Sequence, residues 1–273
     1  MLIFLDIDGT LVMPGQPLGK ATVAAIRAAR AKGHKVFLST GRSEASVQDN
    51  IRLIGFDGAI YSAGGRVVIG KEEIFNRPMP DTLLKRVLGE LAGAGLFFTL
   101  ECAHNSYRSE RMPPMPEDMD TTGAGSELRR IWEQNTRQLK LLADRHSEAV
   151  YKVSFLATSM GQISELKAAL GSDAKVVAFG NLLAGFPFIG AEVSDPLTSK
   201  GTALVSVCEY LHASQADCVA FGDSMNDAEI LEAAGTGIAM GNAEPAVKAI
   251  AGRVCESCWN EGVAKELERM GLA

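Results

Sequence analysis

Two carboxylates stand two residues apart in Asp6-Ile7-Asp8-Gly9-Thr10, directly after the apolar run 2–5. At the end of a buried strand, such clustered negative charge is costly without a cation. A hard divalent ion such as Mg²⁺, which takes oxygen ligands and joins a few carboxylates to a substrate phosphate, is the natural partner. Gly222-Asp223-Ser224-Met225-Asn226-Asp227 follows another apolar run and adds oxygen donors, Asp223 and Asp227 lying one turn apart if a helix begins there. Thr40-Gly41-Arg42, after a third run, can offer a hydroxyl, a backbone N–H and a guanidinium to phosphate oxygens. Lys200 stands at a helix start, where a cation opposes the helix dipole and an anion nearby would explain it. Each segment alone has a plainer reading: Asp-Gly makes turns, Asp caps helices, and a lone lysine is usually solvated. Four carboxylates gathered at one crevice are more than capping requires.

The elements that must position these groups follow from the hydrophobic pattern. Strand candidates at 2–5, 36–39, 59–61, 217–221 and 237–240 alternate with stretches of helical period, the mark of βαβ units and a mainly parallel sheet covered on both faces. Leu18, Val23, Ile26 and Ala29 recur at helical spacing, and Gly33 follows as a helix C-cap. In open parallel sheets the ligand crevice lies outside the carboxyl ends of the strands, where the three polar segments would converge. Pro78 and Pro80 mark a break. Beyond it lie a helical stretch at 83–91, a strand at 96–100, a proline-rich loop at 112–116 and a helix over 126–142. A strand at 151–156, a helix at 163–170 and an apolar run at 176–179 then lead back near Ala191. The expected organisation is a core of residues 1–81 and 191–273 with residues 82–190 inserted as a second domain.

Of the 273 residues, 47% are hydrophobic and 22% charged, with a formal net charge of −6, which excludes a disordered or collagen-like chain. The acidic balance argues against nucleic acid or an anionic membrane surface as partner. The opening apolar run stops at Asp6, too short for a signal peptide or membrane helix. Five cysteines, odd in number and mostly in apolar context, indicate a reduced, cytoplasmic protein. Cys255 and Cys258 have CxxC spacing but no second pair or neighbouring histidine, so neither zinc nor redox chemistry is assigned to them.

Taken in order, Asp6-Ile7-Asp8-Gly9-Thr10, Ser39-Thr40-Gly41-Arg42, Ser199-Lys200-Gly201 and Gly222-Asp223-Ser224-Met225-Asn226-Asp227 make the chain resemble the haloacid dehalogenase (HAD) superfamily. Within it, Gly241-Asn242-Ala243 and Asn260-Glu261-Gly262-Val263 are similar to the Cof-type, subclass IIB phosphatases. The resemblance implies an α/β fold, a Rossmann-like, mainly parallel core with an inserted α/β cap of C2 type that closes over the site and selects the substrate. It implies Asp6 as nucleophile, forming an aspartyl-phosphate, and Asp8 as the group that protonates the leaving oxygen and then activates water. Asp6, the Asp8 backbone carbonyl and Asp223 would hold Mg²⁺, supported by Asp227. Thr40, Gly41, Arg42, Lys200 and Asn226 would bind the phosphoryl group. The substrates implied are small phosphorylated metabolites, sugar phosphates first, with nucleotides and pyridoxal phosphate as competitors. A phosphomutase or a non-catalytic phosphometabolite-binding protein on the same fold is the alternative. A dehalogenase would need no metal cluster. Gly64 stands where many relatives carry Asn, which puts substrate contact from that loop in doubt.

Overall fold

Leu2, Phe4, Phe37, Ile60, Cys218, Ala220 and Ala239 belong to one buried cluster, and Ile3, Leu5, Val36, Leu38, Val219, Phe221 and Ile238 to another. Successive strand residues point to opposite faces, so strands that are apolar at every position must be covered on both sides. The computed structural model describes residues 1–13, 16–110, 139–181 and 188–273. Its strands are β1 (Leu2–Leu5), β2 (Lys35–Ser39), β3 (Gly58–Tyr61), β4 (Arg66–Ile69), β5 (Glu72–Asn76), β6 (Phe97–Cys102) and β7 (Ser106–Arg108). They continue with β8 (Lys140–Leu141), β9 (Val150–Ala157), β10 (Lys175–Asn181), β11 (Ile189–Ser194), β12 (Cys218–Gly222), β13 (Thr236–Ala239) and β14 (Arg253–Val254). Among the described residues the chain divides into two units, Met1–Arg77 with Leu197–Ala273, and Pro78–Pro196.

The first unit carries a sheet in the order β14-β13-β12-β1-β2-β3-β4-β5, parallel from β14 to β3 and antiparallel beyond. Helix Lys20–Ala31 contributes Ala25, Ile26 and Ala29 to one face, and helix Gly262–Arg269 adds Val263, Ala264 and Leu267. Helix Lys200–Leu211 supplies Ala203, Leu204 and Val207 to the other face. Phe4 and Phe37 stack there with ring centroids 5.1 Å apart. Each such fully buried side chain contributes about 1.5–3 kcal/mol. Because β12, β1 and β2 are adjacent, the segments that follow them emerge side by side.

The second unit has its own sheet, ordered β10-β11-β9-β6-β7-β8. Helices Asp81–Gly93 and Met160–Leu170 cover one face through Leu83, Leu84, Val87 and Leu91, and through Ile163, Leu166 and Leu170. The sequence pattern had the chain returning to the first domain near Ala191. That residue lies in β11, which pairs antiparallel with both β9 and β10, so the division falls after Pro196. The expected loop at 112–116 and residues 126–138 of the expected helix lie outside the described residues, and Lys140–Leu141 at that helix's end form a strand. No described helix is long and apolar enough to cross a membrane.

Candidate active site

Asp6 leaves β1 with its N–H still donating to Phe221 O at 3.2 Å, which ties it to the neighbouring strand before the chain turns away. The turn is built on Ile7, whose carbonyl accepts from Leu11 N and Val12 N at 3.0 Å each. Gly9 takes φ +81° within it, and a Cβ there would stand 2.1 Å from Asp223 Oδ2. Only glycine lets the Asp6–Thr10 loop and the Asp223 loop approach this closely. Thr10 Oγ1 completes the contact by donating to Asp223 Oδ1 at 3.3 Å. Asn242 fastens the same turn, its Nδ2 donating to Gly9 O at 2.8 Å while its Oδ1 accepts from Cys258 N at 2.9 Å.

Helix Lys200–Leu211 begins in a capping box between Ser199 and Thr202, and its first residue reaches the carboxylates. Lys200 Nζ donates to Asp6 Oδ1 at 2.7 Å, to Asp227 Oδ1 at 2.5 Å and to Asn226 Oδ1 at 3.2 Å. Asp227 does not sit one helical turn beyond Asp223. Residues 225–227 form a tight 3-10 turn ahead of helix Ala228–Ala233, and Asp227 Oδ2 accepts from Asp223 N and Ser224 N at 3.0 and 3.2 Å. A short carboxylate satisfies backbone donors that no helix has yet claimed.

Thr40 follows β2 and is fully buried, its N–H donating to Ile60 O at 2.9 Å. Arg42 N donates to Thr40 Oγ1 at 3.1 Å. The Arg42 guanidinium is turned onto the half-exposed Asp8, Nε to Oδ2 at 2.8 Å and the second nitrogen to Oδ1 at 2.5 Å. Ser62 and Ala63 both adopt positive φ and donate backbone N–H groups to Arg42 O and Thr40 O. Gly64 has φ +103°, and a Cβ there would stand 2.1 Å from Ser199 O, so an Asn-sized side chain has no room while Ser199 stays in place. The glycine lets this loop pack against the N-cap of the lysine-bearing helix.

Burial pushes the Asp6 carboxyl up; Lys200 opposes that shift, and the neighbouring aspartates add to it. Burial, with Asp227 next, raises Asp223 to about 7. For Lys200 burial works against the charge, but Asp227 and Asp6 hold it protonated beyond the ordinary lysine range. Carboxylate oxygens of Asp6, Asp223 and Asp227 lie within 4.8 Å of one another. An all-oxygen donor set crowded with negative charge around a single ammonium fits a hard divalent cation such as Mg²⁺.

The structure thus brings Asp6, Lys200, Asp223, Asn226 and Asp227 together, joins Asp8 to Arg42, and links Thr40 to the backbone of Arg42. Sequence reasoning missed Asn242 as the tether of Gly9. It also missed Glu261, which caps helix Lys20–Ala31 through Thr22 N, Thr22 Oγ1 and Ala21 N. In the second unit it missed a buried ion cluster in which Lys152 Nζ lies 3.3 Å from Glu101 and 2.8 Å from Glu192. Glu101 also accepts from Ser154, while His104 N and Asn105 donate to Glu148, and Arg108 donates to Ser109 O.

Residues 3–267 match the family model of haloacid dehalogenase-like hydrolases. The chain is 28% identical to an HMP-PP phosphatase of Cronobacter sakazakii over 88% of this chain and 84% of that one. It is 26% identical to a phosphoglycolate phosphatase of Methanopyrus kandleri, with 98% and 96% covered. Among solved structures its fold is similar to that of a HAD subclass IIB sugar phosphatase, with TM-score 0.82, 22% identity and 100% and 99% of the two chains covered. A haloacid dehalogenase-like hydrolase from B. subtilis superposes with TM-score 0.81 at 21% identity, with 98% and 99% covered.

Proposed function

The chain belongs to the haloacid dehalogenase-like hydrolase family, and from that membership we propose that it is a Mg²⁺-dependent phosphatase of small phosphorylated metabolites, sugar phosphates first, working through an aspartyl-phosphate on Asp6. The observation that carries the reading is the buried meeting of Asp6 and Lys200 beside Asp223 and Asp227. Phosphoryl transfer asks mainly for positioning and for neutralisation of the equatorial oxygens. This site has a carboxylate nucleophile held by an ammonium, and more carboxylates than that ammonium can balance.

In the first step an Asp6 carboxylate oxygen attacks phosphorus, the bond to the leaving oxygen breaks, and Asp8 delivers a proton to that oxygen. In the second step a water oxygen attacks the phosphoryl group, its proton passes to Asp8, and the Asp6 carboxylate is released. Thr40, the Gly41 backbone, Lys200 and Asn226 bind the transferring group. Asp6, the Asp8 backbone carbonyl and Asp223 would hold Mg²⁺, with Asp227 in support through its bonds to Lys200 and to the Asp223 and Ser224 backbone. The bound ion supplies charge neutralisation on the phosphoryl oxygens. Substrate choice is assigned to the unit Pro78–Pro196. The enzyme is assigned to the cytoplasm, where its five free thiols would stay reduced.

The test is inorganic phosphate release from sugar phosphates, nucleotides and pyridoxal phosphate, with Mg²⁺ or EDTA, by the wild type and Asp6→Asn. Release that needs Mg²⁺ and disappears in the variant is the expected result. Release that persists in Asp6→Asn would overturn the assignment of the nucleophile.

A further inference from the structure

We propose that the Arg42 side chain is a positioning residue for Asp8, not a contact to the transferring phosphoryl group; the inference rests on the phosphatase reading and sharpens it. The guanidinium meets a planar oxyanion best along its Nε edge, with two parallel N–H donors. That edge is already taken, Nε donating to Asp8 Oδ2 at 2.8 Å and the adjacent nitrogen to Oδ1 at 2.5 Å. The remaining terminal nitrogen donates to Ser46 O at 3.3 Å, so the fork is tied down on its far side as well. Thr40 and Lys200, by contrast, are buried to within 1% of full burial, and Lys200 lies against Asp6, where a phosphoryl group would be received.

Stability does not account for this pair. The side chains are 23% and 46% exposed, and ion pairs so exposed contribute about 0–1 kcal/mol. Its consequence is geometric. Asp8 sits in the tight turn after β1 with a half-exposed side chain, and the bidentate fork fixes the plane and direction of its carboxyl group. Arg42 is itself fixed by its N–H on Thr40 Oγ1 at 3.1 Å and its carbonyl on Ser62 N at 2.8 Å. The loop that carries Thr40 therefore also aims the acid and base of the reaction. A displacement of about 1 Å at such a group can cost on the order of 10²-fold in rate.

The role has a signature that a phosphate contact lacks. Formation of the aspartyl-phosphate from an alkyl or sugar ester needs the Asp8 proton on the departing oxygen. A p-nitrophenyl ester leaves as a stable phenolate and needs little of it. In Arg42→Ala, kcat/KM for a sugar phosphate should fall by roughly 10²-fold, within the range positioned acid catalysis supplies. For p-nitrophenyl phosphate the fall should be at least ten times smaller, by the same reasoning on proton demand. Arg42→Lys, which keeps the charge without the fork, should rescue little of the sugar phosphate rate. In Asp8→Asn, adding Arg42→Ala should cost almost nothing further, because residues acting as a unit are not additive. Thermal melts check that each variant is folded. Equal losses on both esters, together with weaker inhibition by inorganic phosphate, would show a phosphoryl contact and overturn the inference while leaving the phosphatase standing. Additive losses in the Asp8 background would also overturn it. A wild type that releases no phosphate from any ester would remove the phosphatase reading, and this inference with it.

Discussion

Lys200 Nζ donates to Asp6 Oδ1 at 2.7 Å across 194 residues of sequence, and both side chains are almost wholly buried. The same ammonium serves Asp227, so one cation stands among three carboxylates whose oxygens crowd within 4.8 Å. Buried ion pairs contribute little over an apolar core, yet removing one partner is strongly destabilising. The arrangement is therefore poor value as a structural device and well suited to receiving an anionic group with its cation.

Replacing the ammonium should expose that imbalance. Lys200→Met leaves Asp6 and Asp227 uncompensated, and urea unfolding in EDTA should show a loss of about 3–5 kcal/mol, with turnover gone. Asp6→Asn removes one of the crowded negative charges, so it should melt close to the wild type while releasing no phosphate. A Lys200→Met protein as stable as the wild type would mean that the carboxylates are not charged together.

Asp223 is raised to about 7 by burial and then by Asp227, which outweigh Lys200 and the bond from Thr10, so its negative charge is under-compensated. Asp223→Ala should raise the Mg²⁺ concentration needed for half-maximal activity by about 10-fold or more, the scale on which ligand-shell changes act. Wild-type melting temperature should climb with added Mg²⁺ as binding to the native state requires, and the variant should respond far less. Identical Mg²⁺ titrations for both proteins would count against Asp223 as a ligand.

The parallel core and the convergence of polar segments were legible because Leu2–Leu5, Lys35–Ser39 and Cys218–Gly222 are apolar runs that break into Asp6, Thr40 and Asp223. What escaped the sequence has identifiable physical causes. β4 and β5 are half-exposed strands whose pairing brings Arg66 between Glu44 and Glu73, contacts that no periodicity announces. Lys152 and Glu192 are polar yet buried, because the Lys152 ammonium, directly opposite Glu101 on β6, also reaches Glu192, which is diagonal to it on β11, and no sequence pattern marks that pairing. Asp223 to Asp227 carries the spacing of a helix, but the Asp227 carboxylate takes the Asp223 and Ser224 N–H groups and delays the helix to Ala228.

Gly64 offers a steric test of how the lysine-bearing helix is seated. A Cβ at 64 would meet Ser199 O at 2.1 Å and would also have to tolerate φ +103°. Gly70→Ala is the control, since Gly70 has φ +60° with nothing within 4 Å of the added atom. Both variants should carry a backbone cost of about 1–3 kcal/mol. Gly64→Ala should be the less stable of the two and should alone lose turnover, because it displaces the N-cap beside Lys200. Equal activity in the two variants would show that the 62–65 loop does not set the helix position.

Helix Lys20–Ala31 starts at Gly19 without a side-chain cap and without an acid in its first turn. Glu261 takes that place from the far end of the chain, accepting from Thr22 N and Thr22 Oγ1 at 2.6 Å each and from Ala21 N at 3.1 Å. Burial tends to raise its carboxyl, but the bonds from Thr22 and Ala21 win and hold it below the ordinary value of 4.5. A carboxyl depressed in the folded state contributes stability above its unfolded pKa and loses it as pH falls through the folded one. Glu261→Ala should therefore cost about 1 kcal/mol at neutral pH, the usual worth of a cap. The gap between wild type and variant should hold down to about pH 5 and close as the solution becomes more acid than the ordinary glutamate range. Urea unfolding of both proteins from pH 7 to pH 3 reads this directly, and a gap that stays constant over that interval would show that Glu261 acts through packing and not through its charge.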